Sequence, residues 1–160
     1  MQDTLRDLYQ EVILDHGRHP RNHRHPPAAN RQARGYNPLC GDQVTIYLEC
    51  DETGKDGGRI ADVAFEGHGC AISIASASLM TEILRGKTEA EARHLFEVFH
   101  RLCTEADFVL DDAAAEDRDA LERLQVLSGV RQFPVRVKCA TLAWHAMTAA
   151  LDGETQTTTE

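Results

Sequence analysis

Residues 44–84 read VTIYLECDETGKDGGRIADVAFEGHGCAISIASASLMTEIL, and this stretch decides the fold. Its first seven residues alternate apolar and polar side chains, which is typical of a strand with one buried face. The turn-forming run TGKDGG at 53–58 then predicts a hairpin whose second strand covers about residues 59–67. A two-stranded hairpin is only marginally stable in water, so further strands or packed helices must support it.

Helical patterns follow the hairpin. After GHGC, apolar residues recur at helical spacing from Ile72 to Leu84, and Gly86 ends this helix. Thr88 and Glu91 form a capping box that opens the next helix. Strands followed by helices favour an α+β fold, with helices packed on one face of a small antiparallel sheet.

The same patterns predict the elements in the rest of the chain. Further helices are predicted at about residues 4–17, at 121–127 and after Pro134. Residues 16–39 lack an apolar period and are predicted as a loop, and residues 104–119 as partly irregular. The length fits a single domain at 1–152 with a frayed C-terminal tail at 153–160.

Composition and charge exclude several classes of function. The formal net charge of −9 argues against binding to nucleic acid. No apolar run of membrane-spanning length is present, and MQDTLRDLYQ at the N-terminus lacks the pattern of a secretory signal. A cytoplasmic location is therefore expected. Five Arg between residues 17 and 39 form either a surface for an acidic protein partner or a solvated face, and the sequence does not decide between them.

The five Cys fall into two groups. Cys50 and Cys103 continue the apolar phase of a strand and a helix, which predicts that both are small buried core residues. Cys40, Cys70 and Cys139 instead lie at the ends of predicted elements, where side chains from distant segments can converge. In a cytosolic protein, spaced Cys favour metal binding or catalysis over disulfides.

Asp42 completes a candidate set of four metal ligands with these three Cys. Thiolates and carboxylates both bind zinc, which usually takes four ligands. The spacing alone is a weak signal, because no C-x-x-C pair is present. Three thiolates and a carboxylate with a divalent cation leave net negative charge, which Arg136 and Lys138 could offset unless both are only surface charges.

The His residues are predicted to lie outside the four-ligand set. His16, His19, His23 and His25 crowd one Pro- and Arg-rich segment, and the solvated interpretation is favoured over a metal site there. His68 is two residues from Cys70 and is a candidate proton carrier or alternate ligand. His145 is predicted to be structural.

Four stretches of the chain resemble a known family. LYQEVILDHGRHPRN, NPLCGDQV, GHGCAISIASASLM and FPVRVKCATLAWHA are similar to the SufU-type branch of the IscU/NifU N-terminal family, over about residues 5–150. The resemblance implies a SufE/NifU-like fold, in which a small antiparallel sheet carries helices on one side. It also implies that Cys40, Asp42, Cys70 and Cys139 are the functional ligands and that a cysteine desulfurase is the sulfur donor.

Two features resemble the SufU branch more than the IscU branch. IscU proteins carry a His directly before the last Cys, where this chain has Lys138. A long acidic segment, about residues 104–128, also separates the second and third Cys of the set. The resemblance therefore implies Zn²⁺ at the four ligands and sulfur transfer in partnership with a SufS-like cysteine desulfurase, with a downstream iron–sulfur assembly scaffold as recipient.

Three hypotheses follow for the function. The first is a zinc-dependent sulfur acceptor in which Cys40 leaves the metal and takes persulfide sulfur, while Arg136 holds the released thiolate or persulfide. The second is a scaffold that assembles an iron–sulfur cluster on the same ligands. The third is a structural zinc domain that serves only as an adaptor. Whether the chain is itself an enzyme stays open.

Overall fold

The computed structural model describes residues 2–51, 58–105, 107, 108, 110 and 113–158. The predicted turn at 53–58 lies, apart from Gly58, outside these residues. Within the described part, no helix combines the length and the apolar character needed to span a bilayer.

Five α-helices and four strands make up the described chain. In order they are α1 (Gln2–Arg18), β1 (Arg31–Asn37), β2 (Asp42–Asp51), β3 (Arg59–His68), α2 (Ala71–Leu84), α3 (Glu89–Thr104), α4 (Arg118–Leu124), α5 (Pro134–Leu151) and β4 (Gln156–Thr158). Short 3-10 helices at Ala115–Asp117 and Gln125–Gln132 flank α4. The α+β class is confirmed, and so is the Thr88–Glu91 capping box at the start of α3. The first helix starts at Gln2, before the predicted start near residue 4.

The four strands form one sheet in the order β3-β2-β1-β4. The strands β1, β2 and β3 are antiparallel, and their register places Val44 between Gly35 and Gly67. The fourth strand runs parallel to β1, with Thr157 beside Gly35. The predicted hairpin is therefore the β2–β3 half of a larger sheet that is antiparallel except at one edge.

Strand β1 corrects the prediction that residues 16–39 form a loop throughout. Its inward-facing positions are Ala33, Gly35 and Asn37, which are small or polar, so no apolar alternation marks the strand. The cause is the close approach of α5. A Cβ atom at Gly35 would lie 3.1 Å from Leu142 Cδ1 and 3.2 Å from Ala146 Cβ.

Strand β4 corrects the prediction of a frayed tail for residues 156–158, whereas residues 159 and 160 lie outside the described part of the chain. After α5 the chain turns at Gly153, where φ is 79°. This left-handed conformation suits glycine and brings the next residues alongside β1. The main-chain N–H of Arg34 donates to the carbonyl of Thr155 at 2.9 Å. Three polar residues carry no hydrophobic pattern, which is why the sequence did not reveal the strand.

The core lies between the sheet and the helices. Helix α5 packs on β1 and β2, and α2 packs on β3 and on α5. The largest buried side chain is Trp144 of α5, whose ring centroid lies 5.1 Å from that of Phe99. Its indole N–H donates to Ser76 Oγ of α2 at 3.2 Å, so the polar atom of this buried ring has a partner.

The segment between α1 and β1 is ordered by contacts with the sheet. The N–H of Arg24 donates to the carbonyl of Phe65, and the N–H of Phe65 donates to the carbonyl of Asn22, each at 3.0 Å. The ring of His25 stacks on Tyr47 with 4.1 Å between centroids. These contacts cover part of the β3 edge and part of the outer sheet face.

The Arg residues of this region are largely engaged within the chain. Three ion pairs account for three of the five: Arg21 with Asp15 at 2.7 Å, Arg24 with Asp62 at 2.9 Å, and Arg31 with Glu89 at 3.3 Å. Much of the positive charge that the sequence offered to an acidic partner is therefore neutralised by the chain itself.

The solvated interpretation of the His-rich segment agrees with the exposure of His19, His23 and His25 and is wrong only for His16. It lies in the last turn of α1, is only 6% exposed, and places Nδ1 2.7 Å from Ser78 Oγ of α2. Burial lowers the pKa of His16, and the charge of Arg21 lowers it further. His16 is therefore part of the contact between α1 and α2.

Candidate metal centre

Four elements converge at the end of the sheet where β2 begins. Asp42 opens β2, Cys40 lies in the turn between β1 and β2, Cys70 caps the N-terminus of α2, and Cys139 lies in the second turn of α5. The structure brings three of these predicted residues into one group. One ligand atom each from Cys40, Asp42 and Cys139 lies within 4.8 Å of the other two, so the group could hold a metal ion.

Cys70 lies beside this group and contacts it through Asp42. The N–H of Cys70 donates to Asp42 Oδ1 at 2.8 Å, and its Sγ lies 3.8 Å from Asp42 Oδ2. The N–H of Ser73 points at the Cys70 sulfur at 3.5 Å, so this thiol acts as the cap of α2. A helix N-terminus stabilises a thiolate at such a position.

The glycine of GHGC that precedes Cys70 makes room for this arrangement. A Cβ atom at Gly69 would lie 2.4 Å from Asp42 Oδ1 and 2.7 Å from Ser73 Oγ. Real Cβ atoms are essentially never found that close to an oxygen atom. A residue without a side chain at position 69 therefore allows the Asp42 carboxylate to reach the N–H of Cys70.

The four side chains differ in exposure. Asp42 and Cys139 are fully buried, Cys70 is half-buried and Cys40 is exposed. Gly41 follows Cys40 with φ of 71°, and a Cβ there would meet nothing within 4 Å. The turn at Gly41 thus carries Cys40 at the surface while its sulfur stays 3.3 Å from that of Cys139.

The electrostatics of the group favour a bound cation. Burial raises the pKa of the Cys139 thiol, and the neighbouring Cys40, Asp42 and Cys70 raise it further. The pKa of Arg136 is raised by the negative charge of Cys70 and then of Cys139, although its guanidinium is exposed. A divalent cation among these donors would turn their mutual repulsion into attraction, and soft thiolates with one carboxylate suit a metal of the zinc type.

Several other residues named from the sequence lie elsewhere. Cys50 and Cys103 are buried in the core, as predicted, and burial raises the pKa of Cys103 to about 12. His145 packs edge-on against Phe96 at 4.9 Å, which agrees with a structural role. His68 ends β3 and is exposed, and its role as proton carrier or ligand stays a prediction.

Sequence reasoning missed Asn37. This residue ends β1, is fully buried, and places Nδ2 3.6 Å from Cys139 Sγ. The signal was present in NPLCGD, because a polar residue three positions before a candidate ligand can fold back onto the site.

Comparisons with known proteins show the family of the chain. Residues 8–116 match the family model described as the NifU-like N-terminal domain. The chain is 35% identical to an iron–sulfur cluster assembly scaffold protein IscU of Streptococcus pyogenes, over 92% of this chain and 84% of the relative. It is also 35% identical to the zinc-dependent sulfurtransferase SufU of Bacillus subtilis, over 90% of this chain and 89% of the relative.

Solved structures show the same fold. The crystal structure of a SufU from Fervidobacterium islandicum AW-1 has a TM-score of 0.72 and 34% identity, over 88% of this chain and 94% of that one. A NifU-like N-terminal protein from Brucella abortus, at 23% identity and a TM-score of 0.72, shares the fold over 93% of this chain and 95% of that one. The chain therefore belongs to the NifU-like N-terminal domain family, and relatives named IscU and SufU are equally similar to it.

Proposed function

We propose that the chain is a zinc-dependent sulfur acceptor for iron–sulfur cluster assembly, which takes persulfide sulfur from a cysteine desulfurase onto Cys40. The observation that carries this proposal is the exposed Cys40 thiol, held 3.3 Å from the buried sulfur of Cys139. An acceptor thiol must reach a donor on another protein and must also be kept from side reactions. An exposed Cys that can withdraw into a group of buried ligands meets both needs.

Zinc would be held by Cys40, Asp42, Cys70 and Cys139. When bound, zinc supplies the positive charge that keeps the thiolates deprotonated at neutral pH. Asp42 is a hard carboxylate among soft thiolates, which favours exchange at the site over permanent closure. The SufU relative of Bacillus subtilis is named for zinc dependence, which supports the choice of metal.

The transfer step conserves atoms and electrons. The Cys40 thiolate attacks the outer sulfur of the donor persulfide, and a new S–S bond forms at Cys40. The S–S bond of the donor breaks, and the donor Cys leaves as a thiolate. The hydrogen on the outer sulfur stays with it, so Cys40 becomes a persulfide without an external oxidant or reductant.

Arg136 is the residue proposed to hold the released thiolate or persulfide. It lies in the first turn of α5, and its exposed guanidinium interacts electrostatically with Cys70, Cys139 and Cys40. A guanidinium binds a soft anion through charge-assisted hydrogen bonds without giving up a proton. Its exposure leaves the guanidinium accessible to a donor protein.

The partners follow from the same chemistry. The donor is a protein persulfide, so we assign a SufS-like cysteine desulfurase as the partner that supplies sulfur. The persulfide on Cys40 must then pass to another acceptor, for which we propose a downstream iron–sulfur assembly scaffold.

A scaffold that builds an iron–sulfur cluster on the same residues is the second candidate. The observation in its favour is the IscU relative of Streptococcus pyogenes, which is as similar to the chain as the SufU relative is. Lys138 argues for the acceptor instead, because a Lys offers no imidazole beside Cys139. In the scaffold hypothesis the cluster is cargo, and the four residues are its temporary ligands.

The test compares Cys40→Ala with wild type in the presence of a cysteine desulfurase and cysteine. We expect the variant to form no persulfide, as read by mass spectrometry after alkylation, and to lose the stimulation of desulfurase turnover. Cys50→Ala is the matched control, because it removes a buried core thiol of a strand outside the site. Persulfide and stimulation that persist in Cys40→Ala would show that Cys40 is not the acceptor, and would favour the adaptor hypothesis if the variant also stays folded.

A further inference from the structure

Asn37 connects the turn that carries Cys40 to the helix that carries Cys139. It ends β1 and is paired across the sheet with Asp42, the first residue of β2. Its main-chain carbonyl accepts a hydrogen bond from the N–H of Gly41 at 2.9 Å, which closes the turn. Asn37 is therefore the base of the turn from which two of the four candidate ligands project.

The side-chain amide of Asn37 uses both of its ends. Oδ1 accepts a hydrogen bond from the N–H of Leu39 at 3.2 Å, within the same turn. Because a main-chain N–H can only donate, this contact fixes the oxygen toward Leu39 and turns the NH₂ group toward Cys139 Sγ, 3.6 Å away. The orientation of the amide is thus set by the structure around it.

An N–H directed at a sulfur stabilises the protonation state of that sulfur that is the stronger hydrogen-bond acceptor. A thiolate, free or bound to a metal, is a stronger acceptor than a thiol, so the contact favours the ligating form of Cys139. Asn37 is fully buried, which strengthens such a contact because water does not compete for it. Residues that support metal ligands in this way commonly change metal affinity by about 10- to 100-fold.

We propose that Asn37 is a positioning residue of the metal site, which holds the Cys139 sulfur through Nδ2 and the Cys40 turn through Oδ1. This inference rests on the proposed function, because it assumes that Cys139 is a ligand. It goes further by assigning the alignment of two ligands on separate elements to one amide.

Two substitutions separate the two ends of the amide. Asn37→Ser keeps a side-chain oxygen that can accept from the N–H of Leu39, but it is too short to reach Cys139. Asn37→Asp keeps the shape and the acceptor, replaces the donor with an oxygen, and adds a negative charge beside the sulfur. Asn30→Ser is the matched control, because the Asn30 amide also bonds twice, to the main chain of Cys50, and lies outside the site.

We expect Asn37→Ser to raise the zinc dissociation constant, measured by competition with a chelator, by about tenfold or more. Asn37→Asp removes the same donor, but its added negative charge also attracts the cation, so the absorption band described next is the readout for that variant. In the cobalt-substituted protein, loss of the N–H should shift the sulfur-to-cobalt charge-transfer band to lower energy, since the sulfur lone pair is no longer stabilised. A merely structural role would lower stability without moving this band, and that is the result expected for Asn30→Ser.

The outcomes are distinct. A wild-type protein that binds neither zinc nor cobalt tightly overturns the proposed function itself. A wild-type protein that binds both, with Asn37→Ser unchanged in affinity and in the position of the band, overturns only the role of Asn37. If Asn37→Ser does not fold, an Asn37→Asp protein whose band stays at the wild-type position overturns the role of Asn37, because this variant lacks the donor and keeps the acceptor for the turn.

Discussion

Replacement of Gly69 by Ala should damage the site because the added Cβ would clash with Asp42 and Ser73. The added Cβ would lie 2.4 Å from Asp42 Oδ1 and 3.0 Å from Asp42 Cβ, and Ser73 Oγ would be 2.7 Å away. The Asp42 carboxylate is buried and must move by about 1 Å to restore an ordinary van der Waals separation. That movement weakens its hydrogen bond with the N–H of Cys70, now 2.8 Å long.

The expected loss combines two effects. Overpacking of a buried position costs about 1–3 kcal/mol. A hydrogen bond to a charged group contributes about 1.5–3 kcal/mol, and the displaced carboxylate loses part of it. We therefore expect Gly69→Ala to lower the free energy of unfolding of the metal-free protein by about 2–4 kcal/mol. Zinc affinity should fall as well, because Asp42 no longer points at Cys40 and Cys139.

The assay is urea unfolding of the metal-free protein, followed by zinc titration of the same samples. Gly129→Ala is the matched control, because a Cβ at Gly129 would meet nothing within 4 Å. We expect that control to be neutral or slightly stabilising, since Ala restricts the unfolded chain more than Gly does. Gly69→Ala with wild-type stability and wild-type zinc affinity would refute the reasoning about the Asp42 contact.

Three further predictions address other parts of the molecule. Because the pKa of His16 is lower in the folded protein, the unfolded chain takes up the His16 proton at a higher pH than the folded chain does. The free energy of unfolding should therefore fall as pH drops from about 7 through 6.5. His16→Gln should flatten this slope in urea titrations, and an unchanged slope would contradict the assignment. Removal of residues 154–160 should lower the free energy of unfolding by about 1 kcal/mol because β4 is lost, whereas a frayed tail would give no change in the same titration. In the metal-free native protein at mildly alkaline pH, iodoacetamide should label Cys40 before Cys103, because Cys103 is buried and has a pKa of about 12. Peptide mass spectrometry measures the two rates, and equal labelling of Cys103 and Cys40 would contradict the burial pattern.

The central part of the fold was predictable because its patterns are local. The alternation in β2 and the capping box of α3 depend on neighbouring residues only. Strand β1 was not predictable in this way. Its Gly35 leaves room for the close approach of α5, which lies more than 100 residues away in the chain. Strand β4 depends on a turn after α5 and on pairing with β1, neither of which leaves an apolar pattern.

In the candidate site too, features that depend on local sequence were predictable, and features that depend on packing were not. Residue types and their positions at the ends of elements marked Cys40, Asp42, Cys70 and Cys139, and the structure brings three of them into one group with Cys70 beside it. Asn37 was missed because its role depends on the direction of one amide, which only the packed structure fixes. Burial of His16 was likewise hidden, since Ser78, its partner, lies on another helix.

The contact between the Arg-rich segment and the rest of the chain shows a further limit of composition. A run of Arg without acidic residues predicts a basic surface. In the structure, Asp15, Asp62 and Glu89 of other elements form ion pairs with three of these Arg. Charge counted along the sequence therefore overstated the charge that the folded surface presents.

The proposal that this chain is a zinc-dependent sulfur acceptor is tested most directly by the metal and sulfide content of the native protein, purified without added metal or chelator. Elemental analysis with an assay for acid-labile sulfide should find about one zinc ion per chain and no sulfide, because the four proposed ligands match the coordination number that zinc usually takes. Iron accompanied by a matching amount of acid-labile sulfide would contradict the account and establish the cluster scaffold in its place.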